Sequence, residues 1–594
     1  MCGIIGAITC NSVKTVINGL IKLQNRGYDS AGICSVVNSS NFLIRKYIST
    51  QKKSAIEKLN KDKFAPESNI SIGHTRWATH GARTLANAHP HHDELMNFVI
   101  VHNGIIENYL ELKEELVNLD YQFYGQTDTE VIAKYISHLS DSFLNLNSKM
   151  RGSWAILILD KRNLDRIFFM KNGAPLILGY NESKSKIMLV SELSGFDSDI
   201  EYYYSLLDGE QGYVSSQTIS TVYEYTPQKI QMSIEQTMPD PYPYWTIKEI
   251  NDQKHIIKEL IKTRIVNNEI CLPELESIDL SSIEHFIFLA CGTSYHAAQI
   301  GLKYFRELRI NATTEVIDGA DFEECDLPAN RKTLLILLSQ SGETKDLYRA
   351  LIIGKEYHKK SIGIINVENS LIAREVDACL YLKAGREHAV ASTKAFTSQC
   401  VMLLLLSLWM SPELLSIKQE YINALAVLDE DISNIIDQTE LEIPLILPFF
   451  TDKENCFILG KQQCEWTAKE GSLKIKEITY IHSEGYSAAA LKHGPFSLLN
   501  PGMPVILIAN NDRFCCKVEN IAAEIKSRNA LVIYITNKKT NTENIDYLFY
   551  FNNKTPLFPI LSVIPLQILA YHLALARGNN PDYPRNLAKV VTVE

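Results

Sequence analysis

The chain has 594 residues, a formal net charge of −10, 46% hydrophobic residues and 22% charged ones. That balance is too apolar for a disordered chain, and at about 150 residues per domain the length predicts roughly four domain-sized units. The mild acidity and the lack of a basic cluster argue against a nucleic-acid partner. The strongly apolar run at 400–410, CVMLLLLSLWM, is too short for the ~20 residues of a membrane span and reads as a buried core helix. The opening MCGIIGAITC lacks the charged n-region of a secretory signal, so a cytoplasmic location is expected. Twelve cysteines are scattered singly except for the pair Cys515–Cys516, with no CxxC spacing; a zinc ribbon is excluded and a disulfide framework disfavoured.

The first 240 or so residues are dense in short β-rich runs: IIGAIT, AGICSVV, NISIGHT, FVIVHNG, WAILILD, RIFFMKN and IMLVSE. Amphipathic helices, such as 12–23 and 108–119, interrupt them sparsely. This texture predicts packed antiparallel sheets flanked by helices. At the very start, Cys2 follows the initiator Met. Removal of that Met places a thiol and a free α-amine on one residue. An amine with a pKa of about 7.7–8.0 accepts a proton near neutrality, and the resulting thiolate is a nucleophile for acyl transfer. The competing reading is a small buried residue opening a strand.

Further along, Arg26-Gly27-Tyr28-Asp29-Ser30, the stretch His74 to Gly81 and His102-Asn103-Gly104 all fall at predicted element ends. Asn103 offers an amide and Gly104 an unhindered N–H, a pair suited to a developing oxyanion; a hairpin turn is the alternative for Asn-Gly. Arg76 and Asp128 are suited to clamp the carboxylate and ammonium of an amino acid. Asp128 also fits as the first residue of a helix over 127–137, where Thr127 and Glu130 form a capping-box pattern. Six of the fifteen histidines lie between His74 and His102, yet neither an HxxxH nor a carboxylate at ligand spacing accompanies them, so no metal is expected.

MPDPYPY at 238–244 carries three prolines in seven residues and reads as a linker. Beyond it, strand and helix alternate: FIFLA at 286–290 before a helix from about Tyr295, TLLILL at 333–338 before one from about Lys345, then strands at 362–365 and 379–382. This is the pattern of a doubly wound parallel sheet. The same order recurs 171 residues later, Phe286 with Phe457, Leu334 with Val505 and Asn366 with Asn537, so two copies of one α/β unit are predicted.

In the first copy the loops Cys291-Gly292-Thr293-Ser294 and Ser339-Gln340-Ser341-Gly342-Glu343-Thr344 follow strands and open helices. Free N–H groups with adjacent hydroxyls form an anion site; plain helix capping is the alternative. The second loop lacks a GK[ST] ending, which disfavours a nucleoside triphosphate. In the second copy the matching loops, 460–463 and 510–512, have lost their hydroxyls. There Glu470, Lys474 and Glu477 share one helix face at i, i+4 and i+7, either as a site or as a surface ion-pair ladder. Lys589, among apolar residues near the C-terminus, is suited to a Schiff base with a ketose unless the tail is inert.

The motifs CGIIG, RGYDSAG, HTRWATHG, NAHPH, HNGIIEN and QTDTE resemble those of the N-terminal-nucleophile glutamine amidotransferases, and within them the glutamine–fructose-6-phosphate aminotransferase family. The likeness extends through ACGTSY, LSQSGET, VASTKAF, ExxxKxxE, LKHGP and PRNLAKxVTVE, which are similar to a pair of sugar-isomerase (SIS) domains. The resemblance implies an α+β fold for the first part, an αββα sandwich, followed by two tandem SIS-type α/β domains. It implies a glutamine amidotransferase domain at 2–238, a linker at 239–254, SIS domains at 255–425 and 426–577, and a catalytic tail at 578–594.

It further implies Cys2 as nucleophile, Asn103 and Gly104 as oxyanion hole, Arg76, Thr79, His80 and Asp128 around glutamine, and Trp77 gating ammonia, which travels inside the protein. For the sugar phosphate it implies Thr293, Ser294, Ser339, Gln340, Ser341, Thr344, Val390 and Ser392. Glu477 then moves the proton between C1 and C2, His493 from a neighbouring subunit helps ring opening, Lys474 assists and Lys589 forms the imine. The implied reaction, L-glutamine with D-fructose 6-phosphate giving L-glutamate and D-glucosamine 6-phosphate, opens hexosamine synthesis. It needs no cofactor, neither metal nor pyridoxal phosphate, and at least a homodimer.

Ala490, Ala389, Val590 and Lys254 depart from the family pattern; Ala490 bears on the charges near His493 and Lys254 on the hinge. Two rivals remain. One is an N-terminal-nucleophile amidotransferase acting on a different ketose phosphate, the other a non-catalytic sugar-phosphate sensor, which could dispense with Cys2, Glu477 and Lys589.

Overall fold

A computed structural model describes the chain except residues 1, 39–40, 51–52, 63–66, 78–80, 231–237, 554–555 and 591–594, and the side chain of Asp141. It divides into two compact units, Met1–Thr237 with Ala588–Glu594, and Met238–Leu587.

The first unit is built on an eight-stranded and a six-stranded antiparallel sheet. Period-2 side-chain alternation makes its layers. On the strand Gly3–Ile8, Ile4 and Ile8 share a core with Val99, Val101 and Leu157 of the second sheet. Ile5 and Ala7 face the other way, onto Val13, Val16 and Leu20 of the helix Ser12–Lys22. On Phe98–Ile106, Phe98 and Ile100 pack against Ile132 and Ile136 of the helix Asp128–Leu139. Helix, sheet, sheet and helix therefore stack in that order, and the αββα sandwich holds. Gly3–Ile8 is internal, between Ile70–Arg76 and Ile187–Val190, so Cys2 opens a strand that cannot fray.

The second unit holds two five-stranded parallel sheets. The first runs Thr313–Asp318, His285–Ala290, Thr333–Ser339, Lys360–Ile365, Ala378–Tyr381, and the second His482–Ser487, Asn455–Gly460, Pro504–Ala509, Leu531–Thr536, Tyr547–Tyr550. Both follow the order 2-1-3-4-5. The 171-residue offset holds in the pairing itself: Phe286 faces Leu334 as Phe457 faces Val505. One apolar core runs through both copies, filled by the helices Gly292–Glu307, Lys394–Met410, Gln463–Thr479 and Val563–Ala576.

Several boundaries differ from expectation. The helix placed near Tyr295 starts at Gly292, whose φ of +55° turns the chain into the helix directly after the strand, so Thr293 and Ser294 lie in its first turn. The stretch read as linker, 239–254, is helical from Trp245 onward, because Asp582 accepts hydrogen bonds from the Trp245 and Thr246 N–H groups and the Thr246 hydroxyl at 2.8–2.9 Å and caps Trp245–Arg264. Lys254 reaches the Ser433 hydroxyl from within that helix at 3.5 Å. The run 400–410 lies in the buried helix Lys394–Met410; among the described residues Phe558–Ala576 is long and apolar enough to cross a bilayer, yet 89% of its apolar window is buried inside the protein.

Candidate active site

In the first unit the Cys2 thiol is half-buried. Its sulfur accepts the Trp77 N–H at 3.4 Å, and the Cys2 carbonyl accepts the Asn103 side-chain amide at 2.9 Å and the Arg26 Nε–H at 3.4 Å. Burial pushes the thiol up, opposed by the Trp77 amide and the Arg76 guanidinium, while Asp128 adds to the rise. Arg76 ends the strand Ile70–Arg76, is almost fully buried, and faces Cys2, Asp29 and Asp128 electrostatically.

The hairpin alternative for Asn103-Gly104 falls. Both residues lie inside the strand Phe98–Ile106, where Gly104 pairs with Trp154 at φ +118° and a Cβ would stand 2.0 Å from the Ser153 carbonyl. Only glycine permits that approach. Asp128 begins its helix and holds the Ile106 N–H at 3.0 Å and the Thr129 N–H at 2.8 Å. The capping box is only half formed. Thr127 accepts from the Glu130 N–H, but the Glu130 carboxylate turns to the Tyr124 and Gly125 N–H groups. Thr79 and His80 lie outside the described residues.

The histidines have found other work. His74 stacks on His89 at 3.9 Å and donates to the His102 carbonyl at 2.9 Å. His89 and His102 both bond the Thr129 hydroxyl at 3.0 Å, and His91 bonds that of Thr127 at 3.2 Å. Burial holds all four imidazoles neutral, His74 down to about 3.

The second unit places its polar residues at a topological switch point. His285–Ala290 is flanked by Thr313–Asp318 on one side and Thr333–Ser339 on the other, so the crossovers leave in opposite directions, and in such sheets the C-terminal strand ends at this point are where ligands bind. Both hydroxyl-bearing loops meet there. Ser294 accepts the Gln399 amide at 2.9 Å. The Ser339 hydroxyl contacts that of Thr344 at 3.2 Å and accepts the Gly342 N–H at 2.9 Å, and Ser341 accepts the Glu343 N–H at 3.1 Å. Gln340 is half-buried beside them. A Cβ on Gly342, at φ +65°, would stand 1.9 Å from the Ser370 hydroxyl.

The i, i+4, i+7 face of Gln463–Thr479 is not a surface ladder. Glu470 and Lys474 are buried; the Lys474 ammonium lies 2.6 Å from Glu477, 3.4 Å from Glu470 and 3.1 Å from the Thr293 hydroxyl. Burial alone lowers the Lys474 pKa, but Glu477 first and Glu470 next overcome it and hold the ammonium at about 12. Thr293, expected around the sugar phosphate, is therefore engaged with the charge cluster.

Val390 and Ser392 lie in the loop before Lys394–Met410. Val390 is tied by its N–H to the Asp582 carbonyl at 3.0 Å, and Ser392 donates to Glu387 at 2.5 Å. His493 is exposed at the end of the turn Ala488–His493, which also carries Ala490. Ala389 is buried, with Glu249 near its N–H. Lys589 belongs to the first unit, its N–H on the Asn25 carbonyl at 3.1 Å, beside Arg26 and next to buried Val590.

Residues that the sequence reading passed over complete the second site. Glu387 is buried, accepts the Thr393 and Ala395 N–H groups and acts electrostatically on Lys474. His296 donates to Glu470 at 2.8 Å. The only sequence signal for His296 is its place one helical turn after Thr293; for Glu387 there is none.

Comparison with known proteins finds domain models that match both units. A glutamine amidotransferase domain model matches residues 74–198 and a SIS domain model matches 279–408 and 449–577. The chain is 54% identical over 608 residues, covering both chains entirely, to a probable glutamine–fructose-6-phosphate aminotransferase (isomerizing) of Acanthamoeba polyphaga mimivirus. It is 37% identical over 620 residues, again with complete coverage of both, to the glutamine–fructose-6-phosphate aminotransferase of Fusobacterium nucleatum. Among solved structures, the C-terminal domain of the glucosamine-fructose-6-phosphate aminotransferase of Francisella tularensis superimposes with a TM-score of 0.51 at 31% identity, covering 58% of this chain and 99% of that one.

Proposed function

The chain belongs to the glutamine–fructose-6-phosphate aminotransferase (isomerizing) family, and from that premise we propose how its residues divide the reaction. It is an enzyme that converts L-glutamine and D-fructose 6-phosphate to L-glutamate and D-glucosamine 6-phosphate. In our reading residues 2–238 release the amide nitrogen, 255–425 and 426–577 bind and rearrange the sugar, and 578–594 supply the imine lysine.

Cys2, freed of Met1, attacks the glutamine amide; the Asn103 amide and Gly104 N–H hold the tetrahedral oxyanion, ammonia leaves, and water cleaves the thioester. Arg76 takes the substrate carboxylate and Asp128 its ammonium, with Trp77, Thr79 and His80 closing over it. In the sugar half the switch-point loops receive the phosphate through Ser294, Ser339, Gln340, Ser341 and Thr344, with Thr293, Val390 and Ser392 against the sugar. Lys589 condenses with the C2 carbonyl and ammonia displaces it. Glu477 then carries the C1 proton to C2 while the O1 hydroxyl proton passes to the imine nitrogen, leaving an aldehyde at C1 and an amine at C2. Lys474 assists by fixing Glu477. His493, from a neighbouring subunit, opens the sugar ring, which makes the working form a homodimer. The same reading places the enzyme in the cytoplasm at the head of hexosamine synthesis, without nucleic-acid or membrane partners.

The observation that carries this reading is the buried Lys474 between two carboxylates beside the switch-point loops. Borohydride reduction in the presence of fructose 6-phosphate tests it. A hexitol adduct on the peptide carrying Lys589 is expected; labelling elsewhere, or none, contradicts the imine step.

A further inference from the structure

Glu470 is fully buried, and both of its oxygens are occupied. Oε1 accepts the Thr293 hydroxyl at 3.1 Å and lies 3.4 Å from the Lys474 ammonium; Oε2 accepts His296 Nδ1 at 2.8 Å. A carboxylate only accepts, so Nδ1 carries the hydrogen. Thr293 and His296 stand at i and i+3 on Gly292–Glu307, one above the other on the same helix face. The first α/β copy thus grips a single carboxylate of the second from two points. The Trp466 ring centroid lies 6.3 Å from that of His296, with Tyr295 edge-on to Trp466 at 5.9 Å.

The grip controls how the charge of Lys474 is shared. Held in place, Glu470 takes part of the ammonium's field, and Glu477, at 2.6 Å, takes the rest. If Glu470 turns away, Lys474 has Glu477 as its one close carboxylate, with Glu387 acting from farther off. That tightened pair anchors the side chain that must swing a proton between two carbons. We propose that His296 is a positioning residue for the sugar chemistry, holding Glu470 against Thr293 and Lys474 so that Glu477 stays free to move the proton. The inference rests on the reading of Glu477 as proton carrier given above.

Two variants of the full-length enzyme test it. His296→Leu keeps bulk but has no donor, and His296→Asn keeps an N–H on a shorter side chain. We expect H296L to lower kcat for glucosamine 6-phosphate formation by about 10–100-fold with KM for fructose 6-phosphate within about threefold, and H296N to recover to within about threefold of the parent. Glutamine hydrolysis, measured separately, stays unchanged. Adding H296L to Glu470→Gln costs little more than E470Q alone, because both break one unit. A parental kcat in H296L, an H296N as impaired as H296L, or losses that multiply in the double variant overturn the proposal. Should H296L not fold, His296→Ala with added imidazole replaces it; recovery of kcat is expected, and none contradicts the proposal. Glu477→Gln separates the two layers. If E477Q retains full sugar turnover the proton-carrier reading itself falls, whereas an inactive E477Q beside a fully active H296L sinks only the role of His296.

Discussion

The two units solve the same electrostatic problem in opposite ways. Around Cys2, four buried imidazoles have no carboxylate among the described residues within close contact, apart from the Asp128 oxygen 3.9 Å from His102, and burial leaves them neutral. Around Glu477, a lysine just as buried stays charged because two carboxylates stand within 3.4 Å. Desolvation acts on both groups in the same direction; the partner decides the outcome. A neutral lining suits a step in which a thiol must lose its proton to a nearby amine. In the proposed reaction a charged one holds the carboxylate that carries a proton between adjacent carbons.

The largest expected effects cut the two halves apart. Cys2→Ala removes the nucleophile and lowers glutamate release by at least about 10³-fold, while interconversion of fructose and glucose 6-phosphates persists; E477Q does the reverse. Parallel assays of both half-reactions read this directly, and a variant that impairs both halves equally breaks the division. Next, Lys474→Met leaves Glu470 and Glu477 facing each other without their cation. Breaking a buried pair in this way costs about 3–5 kcal/mol, seen as a lower denaturation midpoint of the second unit with the first unaffected.

Acid and base separate the units further. The four imidazoles have folded-state pKa values below the ~6.5 of an unfolded histidine, so the unfolded chain binds protons that the folded chain refuses. Their contribution to stability is intact above about pH 6.5 and is lost as pH falls below it, for His74 until about pH 3. Lys474 is raised rather than lowered, so its contribution is intact below about pH 10.5 and fades as pH rises toward 12. Hydrogen exchange, corrected for intrinsic rates, is expected to show Phe98–Ile106 losing protection between pH 7 and 5 before Gln463–Thr479 does. The smallest effect tests the frame of the second unit alone. Asp582→Ala uncaps Trp245–Arg264 at about 1–2 kcal/mol, a melting shift of a few degrees with glutamine hydrolysis untouched.

What the sequence made legible follows from how local each feature is. The recurring strands, the switch-point loops and the helix face bearing Glu470, Lys474 and Glu477 are written in short-range spacing, and the 171-residue offset survives down to individual strand pairs. The place of Asn103-Gly104 inside a strand needed the register opposite Trp154, since the dipeptide alone fits a turn equally well. Glu387, His296 and Asp582 were hidden for a different reason. Each acts on a partner in another element, and Asp582 caps a helix 337 positions away, so no window of sequence holds both members of the contact. The capping box at Thr127 failed because Glu130 found better partners in the backbone of the preceding loop.

The account stands on both halves acting as one enzyme, with the nitrogen freed at Cys2 consumed by the sugar. Mass spectrometry of the aminated hexose phosphate, formed from amide-15N glutamine in a buffer of natural-abundance ammonium, measures that transfer directly. The account predicts one 15N in every product molecule and one glutamate for each. Product carrying nitrogen from the buffer, or glutamate released without aminated sugar while fructose 6-phosphate is present, would contradict it.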